Sequence, residues 1–215
     1  MNILDKVFFR KKRKLINETW NSKENKELYK NARLRISPER AFVIQNFVKF
    51  SKHLQGSVIE MGVYKGSTAY LIASEIENSN KSFFICDTFE GTPKEGALDN
   101  IKREGLYNDT SLPEVKKYLS QFGFIEYISG YIPNSLDVIK EEVFSFVHIH
   151  LNLYESTKNG LEFAYDRLVD YGIILIEDYG LISCEGSKKA TDEFAHNNNL
   201  EVIYLPTGQG IIFKR

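Results

Sequence analysis

The chain has 215 residues, 42% hydrophobic and 27% charged, with a net charge of -1. A charge this close to zero leaves no electrostatic footprint for nucleic acid, and two cysteines, Cys86 and Cys184, make neither a disulfide framework nor a zinc pattern. No apolar run reaches transmembrane length or resembles a secretory signal, so the composition points to one globular domain in a reducing, cytoplasmic setting.

The first feature in chain order is the basic run Phe8-Phe-Arg-Lys-Lys-Arg-Lys-Leu15. It reads as a solvated helix with a few anchoring apolar residues, the alternative being peripheral contact with anionic lipid. Residues 1–36 are expected to form a helical arm, which can also pair copies in a homo-oligomer, ahead of a domain over 37–215. Ser37-Pro-Glu-Arg-Ala-Phe opens an amphipathic helix to about residue 54, with Pro38 suited to its first turn.

A strand over 57–61 then runs into Glu60-Met-Gly-Val-Tyr-Lys-Gly66 and a helix. Glycine at 62 and 66 permits backbone conformations closed to other residues and close approach to a ligand, while the helix directs free N–H groups at it. The pattern is neither G-x-G-x-x-G nor a P-loop, which argues against NAD and ATP. Glu60 suits a ligand with positive charge and hydroxyls, a description S-adenosylmethionine meets. A second strand over 83–86 ends at Asp87, where an acid holds a ribose diol in Rossmann-type sheets.

The polar segment 88–110 reads as a mobile loop over the site, and Ser111-Leu-Pro-Glu114 as a capping box for the helix after it. Strands follow over 125–129, 144–151 and 173–176, with a short helix after Pro133 and another after Asn152. A helix over 187–197 and two strands, 202–205 and 210–213, close the chain. Strands alternating with helices imply a doubly wound α/β sheet, mostly parallel, and the tight turn between the last two strands implies one antiparallel member.

Five ordered stretches resemble the macrocin O-methyltransferase family of class I S-adenosylmethionine-dependent enzymes: Glu60 to Gly66, Asp87-Thr-Phe-Glu-Gly-Thr-Pro93, Leu153-Tyr-Glu-Ser-Thr157, Gly172-Ile-Ile-Leu-Ile-Glu-Asp-Tyr179, and Thr207-Gly-Gln209. The resemblance implies a Rossmann-like seven-stranded sheet and S-adenosylmethionine as cofactor. It carries the cofactor to Glu60, Gly62, Tyr64, Gly66, Ser67, Asp87, Thr88 and Phe89, with the adenine at Gly130, Tyr131 and Ile132. The acceptor it implies is a sugar hydroxyl on a glycan or small molecule.

In metal-dependent relatives, acids after the fourth and fifth strands hold magnesium, which lowers the pKa of the hydroxyl to be methylated. The matching positions here are His150, Glu177 and Asp178. One reading keeps a divalent ion, magnesium or manganese, on these three residues. A second makes His150 the general base with Asp178 beside it, and a third leaves a scaffold that binds without turnover. An amine acceptor needs less activation, so N-methylation is also open. His148, one strand period earlier, reads as a core or supporting group, and Ser156 or Thr157 as a helix cap.

Overall fold

The computed structural model describes residues 20–94, 96–99 and 104–214. The basic run at 8–15 lies outside them. Among the described residues, no helix is long and apolar enough to cross a membrane.

Two helices lead in, α1 (Lys23–Asn31) and α2 (Pro38–Ser51). Ser22 and Ser37 cap them, each side chain accepting a backbone N–H three residues on, and Pro38 occupies the first turn of α2. There follow β1 (Ser57–Met61), α3 (Ser67–Ile76), β2 (Phe83–Asp87), α4 (Leu112–Tyr118), β3 (Ile125–Ser129), a 3-10 turn, β4 (Phe144–Ile149), α5 (Tyr154–Asp166) and β5 (Leu168–Ile176). A second 3-10 turn (Ile182–Cys184), α6 (Glu185–Asn197), β6 (Ile203–Tyr204) and β7 (Gly210–Phe213) complete the chain. The sheet order is β3-β2-β1-β4-β5-β7-β6, with β7 antiparallel to both neighbours and the other pairings parallel. The expected doubly wound, seven-stranded sheet with one antiparallel strand is therefore present.

Strand alternation sends successive side chains to two cores. Val58, Phe83, Ile85, Phe146 and Leu175 join Ile44, Val48, Leu71 and Ile72 on the face covered by α2 and α3. Ile59, Met61, Phe84, Cys86, Val147 and Ile174 join Leu161, Ala164 and Phe194 on the face covered by α5 and α6. The lead-in segment belongs to the first core: Tyr29 is buried and donates to Gln45 (2.6 Å), which in turn donates to Glu75 on α3 (2.7 Å).

Several boundaries differ from the sequence reading. β5 begins five residues earlier than expected, where Tyr171 adopts φ 63 and the register against β4 shifts. β4 ends at Ile149 rather than 151, the last ladder bond running from His150 N–H to the Met61 carbonyl at the end of β1 (2.8 Å). Helix α5 starts at Tyr154, so Ser156 and Thr157 lie inside its first turn and donate back to Leu153 and Leu151 carbonyls. Its N-terminus is capped by Asp99, whose Oδ1 accepts from Tyr154 N–H at 2.8 Å. The described part of the 88–110 loop is thereby anchored. At Ser111 the hydroxyl donates to the Glu114 carboxylate (3.0 Å) instead of accepting a backbone N–H, so the expected capping box is replaced by a side chain–side chain bond.

Candidate active site

The same parity that builds the first core places polar residues on it. Glu60, His148 and Glu177 all project toward the α2/α3 side, and Glu60 stands directly opposite His148 in the β1–β4 register. His148 Nδ1 lies 2.9 Å from Glu60 Oε1 and Nε2 lies 3.2 Å from Glu177 Oε2, all three side chains fully buried. Burial alone would favour neutral imidazole, but the two carboxylates outweigh it and raise the His148 pKa to about 9. Two residues on, His150 Nε2 lies 3.3 Å from Asp178 Oδ2. Here too burial acts downward and Asp178 more than offsets it, so His150 is shifted above its ordinary value, while Asp178 is held well below the carboxylate range.

Arg40, from the first turn of α2, closes this row. Its Nη2 donates to Asp178 Oδ1 (2.7 Å) and to the Glu177 carbonyl, and its Nε lies 2.8 Å from Glu177 Oε1 as an ion pair without the angle of a hydrogen bond. Gln209 Nε2, in the β6–β7 turn, donates to Glu177 Oε2 (2.8 Å) and to the Arg40 carbonyl (3.2 Å). Three acids thus face one arginine and two histidines, a balance in keeping with the upward shifts of both histidines.

Beyond the carboxyl ends of β1, β2, β4 and β5 opens a cleft of about 450 Å³. Gly62, Tyr64, Ser67, Asp87 and Thr88 line one part of it, and Gly130, Tyr131 and Ile132 another. His150 and Asp178 line it as well, with Arg35, Arg40 and Asn152. Asp87 is central to the first part: Oδ2 accepts from Val63 N–H (2.6 Å) and Tyr64 N–H (2.9 Å), and Oδ1 from Phe89 N–H (2.8 Å). At Ser67, α3 presents its first turn with no side-chain cap, since its N-cap is Gly66.

Glu60, Gly66, Phe89 and Glu177 do not line the cleft, contrary to the sequence reading. Glu60 is turned inward by its pairing with His148 and Thr68. Phe89 adopts φ 55 and packs into the first core beneath the loop. Gly62 adopts the positive φ inferred for it, +88, and an added Cβ would also sit 2.3 Å from the His150 carbonyl oxygen just beyond β4.

A profile of the family described as Macrocin-O-methyltransferase (TylF) matches residues 14–206. The chain belongs to the macrocin O-methyltransferase family. It is 23% identical over 178 residues to the mycinamicin III 3''-O-methyltransferase of Micromonospora griseorubida, covering 74% of this chain and 68% of that one. It is 24% identical over 143 residues to an 8-demethyl-8-(2,3-dimethoxy-alpha-L-rhamnosyl)-tetracenomycin-C 4'-O-methyltransferase of Streptomyces olivaceus, covering 60% of this chain and 55% of that one. In fold it matches the O-methyltransferase NovP with a TM-score of 0.73 at 19% identity, over 87% of each chain.

For this macrocin O-methyltransferase homologue, the expected metal set does not fit. Both Glu177 oxygens are engaged in the interior, one by Arg40 and the other by His148 and Gln209, and both Asp178 oxygens face Arg40 or His150. Among the described residues, no group of three or more His, Cys, Asp or Glu is arranged to hold a metal ion. A doubly charged ion about 4 Å from the guanidinium would be repelled by about 8 kcal/mol at an effective dielectric of about 20. Arg40 and Gln209 were missed as site residues because their partners lie 138 and 32 residues away. The only local signal for Arg40 was its place in the capped first turn after Ser37-Pro38.

Proposed function

We propose that the protein is an S-adenosylmethionine-dependent O-methyltransferase whose acceptor is a sugar hydroxyl, on a glycan, a nucleotide sugar or a glycosylated natural product. The observation that carries this reading is the His150–Asp178 pair in the wall of the cleft that Asp87 also lines. The dimethoxyrhamnosyl acceptor in the name of the Streptomyces olivaceus relative supports the sugar.

The cleft suits the cofactor on three counts. Its volume falls in the range of small-molecule sites. Asp87 Oδ1, which accepts from Phe89 N–H at 2.8 Å and from the Thr88 hydroxyl only at 3.5 Å, is the oxygen with acceptor capacity left for a ribose hydroxyl. The uncapped first turn of α3, opening at Ser67, suits the carboxylate of an amino acid. Gly130 to Ile132, at the end of β3, are the reading for the adenine. S-adenosylmethionine, when bound, supplies a methyl group already activated on a positively charged sulfur.

The protein has then to orient the acceptor and take its proton. Asp178 Oδ2 lies 3.3 Å from His150 Nε2 as an ion pair, which stabilises the imidazolium once formed. His150 Nδ1 makes no hydrogen bond to a described residue, and it is the ring nitrogen left to accept the hydroxyl proton. The raised pKa of His150 makes it the stronger base once it is neutral.

Calorimetric titration of S-adenosylhomocysteine into the purified chain tests the cofactor, and methyl transfer to a panel of sugars tests the acceptor. Absence of S-adenosylhomocysteine binding would sink the reading.

A further inference from the structure

The metal-ligand positions of this site are not merely altered; they are spoken for by a side chain that carries its own charge. Arg40 reaches them from α2, a helix started by the Ser37 cap and Pro38. Its backbone carbonyl is held by Gln209 (3.2 Å), and its guanidinium bridges Glu177 and Asp178 at 2.8 and 2.7 Å. Its side chain is only 14% exposed, yet Arg40 lines the cleft beside His150. Nη1 makes no hydrogen bond to a described residue.

We infer that Arg40 is the fixed cation of this site and that it takes the place of a divalent ion, so that the chain binds its cofactor and works on its acceptor without metal. The inference rests on the methyltransferase reading and deepens it. A divalent ion in such a site would hold the two acids and set positive charge beside the acceptor oxygen. The guanidinium does the first through its bridge, and its permanent charge does the second without exchange with solvent ions. It can neither leave nor form a coordinate bond to oxygen, so it does not acidify a hydroxyl as a bound metal would. Proton removal therefore falls to the neighbouring His150. Each oxygen of Glu177 and Asp178 lies against a nitrogen of Arg40, His148, His150 or Gln209, so a second cation there would meet that charge or dipole first.

The test is manganese(II) titration of the metal-stripped full-length protein, followed by electron paramagnetic resonance, with S-adenosylhomocysteine binding measured in parallel with and without chelator. Expected are no stoichiometric manganese uptake and S-adenosylhomocysteine affinity unchanged within about twofold by chelator. Stoichiometric uptake that Asp178→Asn abolishes would overturn the inference while leaving the methyltransferase reading in place. Failure of S-adenosylhomocysteine to bind strikes that reading instead, and the manganese result still decides this one.

Arg40→Ala should gain a manganese site, lost again on adding Asp178→Asn. Should the alanine variant not fold, Arg40→Gln removes the charge while keeping most of the stem. A folded, charge-free variant that takes up no manganese would show that Arg40 is not what excludes the ion, and would overturn the inference.

Discussion

His148 Nδ1 lies 2.9 Å from Glu60 Oε1 across the β1–β4 boundary, with both side chains fully buried. The imidazole faces Glu177 on its other side and the His150 ring at 5.7 Å. Its pKa is raised from 6.5 to about 9, so its contribution to stability is fully present below about 6.5 and is lost as pH rises through about 9. For a shift of this size the contribution is about 3 kcal/mol. Urea unfolding between these pH values should show that decline. His148→Gln should flatten it and destabilise the protein by about 3–5 kcal/mol, because two buried carboxylates lose their counter-charge. An unchanged pH profile in the variant would show that another group titrates.

The dyad makes a kinetic prediction. His150→Ala should lower methyl transfer by about 10²–10⁴-fold while S-adenosylhomocysteine affinity changes little. In the wild type, turnover should rise with pH as His150 loses its proton, at a pH above the ordinary histidine value. Asp178→Asn removes the charge that holds this pKa up, so the acid limb should move to lower pH as the maximal rate falls. A limb that stays in place would mean that Asp178 does not set the pKa of the base.

Two glycines with positive φ separate backbone strain from collision. Gly62→Ala would put a Cβ 2.3 Å from the His150 carbonyl oxygen, while at Gly105, φ +73, an added Cβ meets nothing within 4 Å. Gly105→Ala should therefore cost only about 1–2 kcal/mol of left-handed strain. Gly62→Ala should cost clearly more and also weaken S-adenosylhomocysteine binding, since the β1–α3 turn must shift. Equal losses in the two variants would remove the distinction.

Asp99 links the loop over the cleft to the start of α5, and it packs where Gly186 leaves no side chain. Asp99→Ala should cost about 1 kcal/mol as a lost cap and should speed protease cleavage within 88–110 several-fold. Cleavage at the wild-type rate would show that the loop is held elsewhere.

Much of the sheet could be read from the chain, because fully buried parallel strands such as 57–61 and 144–149 are apolar runs punctuated by glycine and acid. The site was legible where the signal is local: Asp87 at a strand end, His150 two residues after His148, and the acidic pair after β5. It was not legible where function depends on pairing. Glu60 looks like a ligand-facing acid until His148, 88 residues on, is seen to occupy it. Glu177 and Asp178 look like metal ligands until Arg40 arrives from 137 and 138 residues away. Local pattern identifies a carboxylate but carries no information on which cation meets it.

Gln209 holds the Arg40 carbonyl and the Glu177 carboxylate at once, at 3.2 and 2.8 Å. During synthesis, Arg40 is made 169 residues before the amide that fastens it, and Glu177 32 residues before. A nascent chain still short of residue 209 carries Arg40 and Glu177 without that clasp, and the reaction centre is complete only when the β6–β7 turn has closed over it. Fastening of the Arg40–Glu177 pair is thereby coupled to completion of the sheet.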